Sequence, residues 1–90
     1  MQIIQTNRFE KAYKKLHKNH LADANNAIRQ IINNPEIGEQ KKGDLCDIRV
    51  YKFKMVNQLT LIAYLYEDET IVLTFVAMGS HENFYRDIKR

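Results

Sequence analysis

"LTLIAYLYEDETIVLTFVAM", residues 59–78, holds two almost continuously apolar runs, 59–66 and 71–78, separated by the polar residues EDET. Runs of this length and continuity predict strands that are central in a sheet or buried on both faces. The EDET spacer is short enough for a hairpin turn, so the two strands are antiparallel neighbours. A third, mixed run, "LCDIRVYKFKM" at 45–55, is joined to the first by VNQ, again a turn-length spacer.

Working outward, residues 36–44, "EIGEQKKGD", form a polar loop with two of the three glycines of the chain. Before it lie two helical patterns. Phe9, Ala12, Tyr13, Leu16 and His20 recur at helical spacing, and Leu21, Ala24, Ile28, Ile31 and Ile32 form a second apolar stripe from about Leu21 to Ile32. Thr6 or Asn7 caps the first helix, and Asn7 with Glu10 resembles a capping box. The second ends at NNP, because the residue before Pro35 disfavours the helical region. Almost nothing joins the two helices, which predicts a helical hairpin. "QIIQ" at 2–5 is a short strand. Gly79 ends the last strand and Ser80 caps a short closing helix. The order is strand, two helices, three strands, short helix. This is a single α+β domain over 1–90, with an N-terminal strand and helical hairpin packed on a mostly antiparallel sheet.

Composition narrows the function classes. Ninety residues with 44% hydrophobic content suit one ordinary globular domain. A chain this short buries only about 60–65% of its unfolded surface, so an active site is expected as a surface groove. A net charge of +3 permits an anionic partner without requiring one. Cys46 is the single cysteine, which excludes an internal disulfide; its apolar strand setting suits a structural thiol. No signal peptide or membrane-length apolar run is present, so a soluble, cytoplasmic protein without membrane contact is expected.

Strand parity groups the side chains of the third run. Cys46, Ile48 and Val50 share one face, expected against the helices; Asp47, Arg49, Tyr51 and Phe53 share the other. That second face reads equally as a ligand surface and as an ordinary solvated face. Lys52 and Lys54 have the opposite parity to Arg49, and reach the same groove only through a bulge or strong twist. In "GSHENFYRDIKR", residues 79–90, His81, Phe84, Tyr85 and Ile88 fall on one helical face, with Arg86 beside it. Phe84 and Ile88 are expected to anchor that face, leaving His81 and Tyr85 to overhang the sheet. His81 is read either as a hydrogen-bonded structural residue or as a proton-transfer group. His17 and His20 lack a third ligand, so no metal site is expected. The stripe Lys11, Lys14, Lys15, Lys18 is read as a solvated face or as electrostatic help to nucleic-acid binding. Phosphate loops and nucleophile elbows are absent.

The opening "IIQTNRFEKAYKKL", the stretch "NPEIGEQKKGDLCDIRVYKF", the ending "LIAYLYEDETIVLTFVAMGSHENFYRDIKR" and the element order together resemble the RelE/ParE superfamily of bacterial toxins over essentially the full length. The resemblance implies a toxin of a type II toxin–antitoxin pair with the RelE-like fold. Members of the RelE branch are ribonucleases that cut messenger RNA, typically on the ribosome; those of the ParE branch inhibit DNA gyrase. By position, Arg49 matches a basic strand residue, and His81 with Tyr85 match a terminal "H-x-x-x-[FY]", most like the YafQ-type "GTHSDLF". Two departures stand out. Many RelE members have an arginine in the strand before the tyrosine of "RLVY", whereas this chain has "LTLIAY". Several basic residues near the end of RelE-type chains are replaced by His81. These departures leave a histidine-centred site and an inactive one as alternatives.

The expectation from the resemblance is a metal-independent endoribonuclease without a cofactor. Its partners would be messenger RNA, the ribosome and a cognate antitoxin, with operator DNA reached only through the antitoxin complex. RNA carries its own nucleophile, the 2′-hydroxyl. Arg49 would stabilise the phosphorane, His81 would transfer a proton, and Tyr85 would stack on a base or orient the phosphate. Lys52, Lys54 and Arg86 would contact the RNA backbone. The alternative is a ParE-like gyrase inhibitor without RNA chemistry.

Overall fold

The computed structural model describes residues 1–41, 48–81 and 84. Its elements are β1 (Gln2–Gln5), α1 (Asn7–Lys14), α2 (Lys18–Asn33), β2 (Glu39–Gln40), β3 (Arg49–Met55), β4 (Gln58–Glu67) and β5 (Val72–Ser80). They form a five-stranded sheet of order β1-β5-β4-β3-β2, antiparallel except for the β1–β5 pair. The α+β expectation holds. The two-residue β2 lies in the expected polar loop, and β5 runs on to Ser80, so Ser80 ends a strand rather than capping a helix. The expected closing helix falls mostly outside the described residues, as do Cys46, Asp47, Tyr85, Arg86 and Ile88. Among the described residues no helix is long and apolar enough to cross a membrane.

Thr6, not Asn7, caps α1. Its backbone is extended at φ −76°, and its hydroxyl accepts from the Phe9 N–H at 3.2 Å and donates to the Val76 carbonyl at 2.6 Å. One side chain therefore satisfies a free helix donor and ties α1 to β5. The break between the helices comes at residues 15–17, with His17 as the N-cap of α2, so Lys18 and His20 belong to the second helix. Leu16, His20, Ala24 and Ala27 keep helical spacing across the break, and neither Gly nor Pro marks it. Packing rather than local propensity sets the bend. Ala24 and Ala27 are buried, and such small side chains let α2 lie close to the sheet.

β4 explains its continuous apolarity. Leu61, Ile62, Ala63 and Tyr64 are fully buried, with alternate members belonging to different cores. On the helix side Ile62 and Tyr64 meet Phe9, Ala27, Ile31, Leu73 and Phe75, with Phe9 stacked on Phe75 at 5.1 Å. On the other side Leu61 and Ala63 meet Val50, Ala77 and Phe84. Phe84 thus anchors as expected. A register shift beside Ala63 and Tyr64 leaves Val76 as the extra residue of β5, and the parity of that strand changes there.

A buried tyrosine organises the turn after α2. The Tyr64 hydroxyl donates to the Pro35 carbonyl at 2.6 Å and accepts from the Gly38 N–H at 2.8 Å. Burial raises its pKa, partly offset by the Gly38 hydrogen bond and the Arg49 charge. A Cβ on Gly38 would lie 2.6 Å from this hydroxyl, so only glycine allows the approach. The β3–β4 turn has the opposite character. Val56 and Asn57 both have positive φ, 49° and 69°, as a two-residue type I′ turn needs. Asparagine tolerates this; a β-branched valine is strained there. The Asp23 carboxylate accepts from the Val56 N–H at 2.9 Å and holds the turn from α2.

Tyr64→Phe leaves the Pro35 carbonyl and Gly38 N–H without their partner and should destabilise by about 1–3 kcal/mol in thermal or urea unfolding. Because the folded-state pKa of Tyr64 is raised, folding retains a proton that the unfolded chain loses. Wild-type stability should fall as pH rises above about 10, and less steeply in Tyr64→Phe. Conversely, Val56→Gly should stabilise by up to about 1 kcal/mol, a rise of roughly 4–8 °C in melting temperature, since exposed Val56 gives up strain and little packing.

Candidate functional site

The faces of β3 are reversed from the sequence expectation. Tyr51 and Phe53 pack on the helix-side core and stack on each other at 6.1 Å, while Val50 and Ile48 belong to the core on the opposite side. The physical reason is size: the broad aromatic pair fills the space under the helices, and the smaller Ile48 and Val50 fit beneath Phe84. Arg49 therefore points to the helix side. Its Nη1 donates to the Gly38 carbonyl at 3.0 Å and the Glu36 carbonyl at 3.3 Å, which ties it to the turn held by Tyr64.

Lys52 and Lys54 consequently take the face away from the helices, with no bulge or twist needed. Strand register builds the surrounding rows. Lys52 pairs with Leu61, and Leu61 with Gly79; Lys54 pairs with Leu59, whose carbonyl accepts from the His81 N–H at 3.1 Å. Since Thr60 pairs with Ser80, His81 continues the register opposite Leu59 and shares the parity of Gly79. His81, Lys54 and Lys52 thus occupy adjacent rows of one face. Two strand spacings, roughly 10 Å, separate the His81 and Lys54 backbones, a gap their side chains can narrow from both sides.

Among the described residues the charge of this face has no counter-charge paired with it. Lys52, Lys54 and His81 are exposed, and among the described residues neither lysine has an ion-pair or hydrogen-bond partner. Its floor is apolar, with Leu61 fully buried beside Phe84. Such a surface attracts an anion by charge and offers His81 as a group able to carry a proton.

Of the expected site residues, Lys52, Lys54 and His81 come together. Arg49 lies on the other face and at the opposite end of β3, because Arg49 pairs with Tyr64 and Lys54 with Leu59. Tyr85 and Arg86 lie outside the described residues. The alternation Tyr51-Lys52-Phe53-Lys54 carried the missed signal: lysines interleaved with aromatics mark the solvent face, so the aromatics point inward. The stripe of lysines on the helices also divides. Lys14 pairs with Glu10 at 2.9 Å, while Lys18 belongs to α2. The His17 and His20 rings meet edge-on at 5.6 Å. Among the described residues no group of three His, Cys, Asp or Glu could hold a metal ion.

Comparison with known proteins agrees with this architecture. The toxin of the E. coli RelBE toxin–antitoxin complex is 18% identical and superposes with a TM-score of 0.70, covering 88% of this chain and 94% of the other. The isolated E. coli RelE toxin is 21% identical with a TM-score of 0.67, covering 99% and 96%. A YoeB/ParE toxin from Agrobacterium tumefaciens is 17% identical with a TM-score of 0.69, covering 90% and 99%. These likenesses establish the RelE-like fold. No match is found among curated protein sequences. A family model does match: residues 3–89 fit the ParE-like toxin of type II bacterial toxin–antitoxin systems. Matched over nearly its whole length and carrying that fold, the chain belongs to this family of type II toxins.

Proposed function

We propose that the chain is a metal-independent endoribonuclease that cuts messenger RNA on the ribosome in the cytoplasm and is held in check by a cognate antitoxin. The observation that carries this reading is the placing of Lys52, Lys54 and His81 in adjacent rows of one sheet face. A family fold alone would not separate RNA cleavage from other targets.

The chemistry follows from those residues. The 2′-hydroxyl attacks the adjacent phosphorus, and its proton passes to the His81 imidazole, a general-base side chain. The bond to the 5′-oxygen breaks, and that oxygen takes a proton from Lys54 or solvent. Lys52 and Lys54 stabilise the charge that builds on the phosphorane. The products are a 2′,3′-cyclic phosphate and a 5′-hydroxyl. Tyr85 orients a base or the phosphate and Arg86 contacts the backbone, both from the segment that follows His81. Arg49 acts in this reading by holding the 36–38 turn. The antitoxin, bound to the toxin, would carry it to operator DNA.

A second reading, inhibition of DNA gyrase without RNA cleavage, is favoured by one observation. Aligning the family's "RLVY" on residues 61–64 puts buried Leu61 where many RelE members have arginine, in the middle of the candidate face. The lysines and histidine around it must then supply all the charge.

Transcript ends mapped after brief expression separate the two. Cleaved messages with cyclic phosphate ends that survive a chelator support the nuclease; growth arrest with intact messages and blocked supercoiling supports gyrase inhibition. His81→Gln keeps a hydrogen-bonding group that cannot titrate, and should lower cleavage by about 100-fold or more with little change in melting temperature. Arg49→Ala should instead lower stability by about 1 kcal/mol and leave cleavage per folded molecule near wild type. Normal cleavage by His81→Gln would remove the histidine from the mechanism.

A further inference from the structure

β1 pairs with β5 only from Gln2 opposite Val72 to Gln5 opposite Phe75. Thr6 then turns the chain, its N–H donating to the Phe75 carbonyl and its hydroxyl to that of Val76. Among the described residues, β5 from Val76 onward has no strand on this side; α1 runs past it instead. Between them lies a cleft of about 440 Å³, with Arg8, Lys11 and Lys15 on the helix wall and Ala77, Gly79 and Phe84 on the strand side.

Arg8, Lys11 and Lys15 recur at helical spacing, so they form a row with steps of about 4.5 and 6 Å along the axis. Among the described residues no carboxylate lines the cleft. Lys14 faces the other side of α1, where it pairs with Glu10. Gly79 is a further anomaly. A Cβ there would meet only the Phe84 ring, at an ordinary 3.9 Å, and no positive φ demands glycine. Glycine weakens a strand interior, and often marks the close approach of another chain. This one lies between the cleft and the row that contains His81 and Lys54.

We infer that this cleft takes the sugar–phosphate backbone of the same single-stranded RNA that is cut at His81. The inference rests on the ribonuclease reading and adds the path of the substrate beyond the scissile bond. Lys11 and Lys15, one helical turn apart on the cleft wall, suit a polymer with one charge per unit better than a single small anion, which needs converging donors. Gly79 leaves the floor low where the strand passes from the open face around the edge of β5. A flexible single strand can make that bend, whereas duplex nucleic acid is stiff over far longer distances, with a persistence length of about 150 base pairs.

The test is binding of a short 2′-O-methylated single-stranded RNA, which cannot be cleaved, to the full chain by fluorescence anisotropy across a salt series. Lys11→Ala/Lys15→Ala and Lys14→Ala/Lys18→Ala each remove two positive charges, and melting temperatures confirm that both fold. The cleft pair should weaken binding by about 10-fold or more and reduce the slope of log K against log salt by about 1.4, close to 0.7 per lost phosphate contact. The control pair should change affinity less than about two-fold. Equal losses in the two pairs, or wild-type affinity in the cleft pair, would overturn the inference. So would a polyglutamate peptide that binds wild type, loses affinity in the cleft pair and leaves RNA bound, since the cleft would then belong to an acidic chain. Absence of RNA binding by wild type at low salt would instead sink the ribonuclease reading itself.

Discussion

Burial of β4 on both faces is the constraint from which the rest of the molecule follows. Leu61 to Tyr64 expose nothing, so each side of the sheet must be covered at its centre. The helices cover one side through Phe9, Ala27 and Ile31; Phe84 covers the other. Fully burying each large apolar side chain contributes about 1.5–3 kcal/mol, and neither cover could be removed from a domain this small without a large loss. What stays open is the part of the second face beyond Phe84, where Lys52, Lys54 and His81 stand. The same burial that stabilises the sheet thus defines where a ligand can reach it.

Phe84 links the core to the candidate face. It follows His81 by three residues and completes the core under the candidate face. Docking this residue fixes the chain on the far side of His81, while the His81 N–H bond to Leu59 fixes it at the end of β5. The proton transfer proposed for His81 would need such support on both sides, because small errors in position are costly to catalysis. Tyr64 performs the matching task on the opposite face, where its hydroxyl and the Arg49 guanidinium gather the 35–38 turn.

Much of this was legible in the sequence, and the exceptions have physical causes. The strands at 59–66 and 71–78 could be read because double burial leaves an unbroken apolar run. NNP announced the end of α2 because proline acts locally. The helix break at 15–17 was hidden, since the apolar spacing continues through it. The faces of β3 were misassigned because both parities contain apolar residues, Ile48 and Val50 against Tyr51 and Phe53. Only the lysines break the tie, and the sequence reading keeps them as backbone contacts that depend on a bulge or twist, with Arg49 as the firmer site residue. A valine at positive φ gave no turn signal at Val56, since tertiary contact with Asp23 holds it there. His81 is expected at the start of a closing helix just after the last strand; β5 instead runs on to Ser80, and the neighbours of His81 depend on a register that parity alone does not supply.

The central claim is that the face of Lys52, Lys54 and His81, and not that of Arg49, meets the ligand. Amide chemical-shift mapping during titration with a non-cleavable single-stranded RNA tests it most directly. The largest shifts should fall at Lys52, Lys54, Leu59, Gly79 and His81. Shifts confined to Gly38, Arg49 and Tyr51, with the lysine face silent, would contradict it.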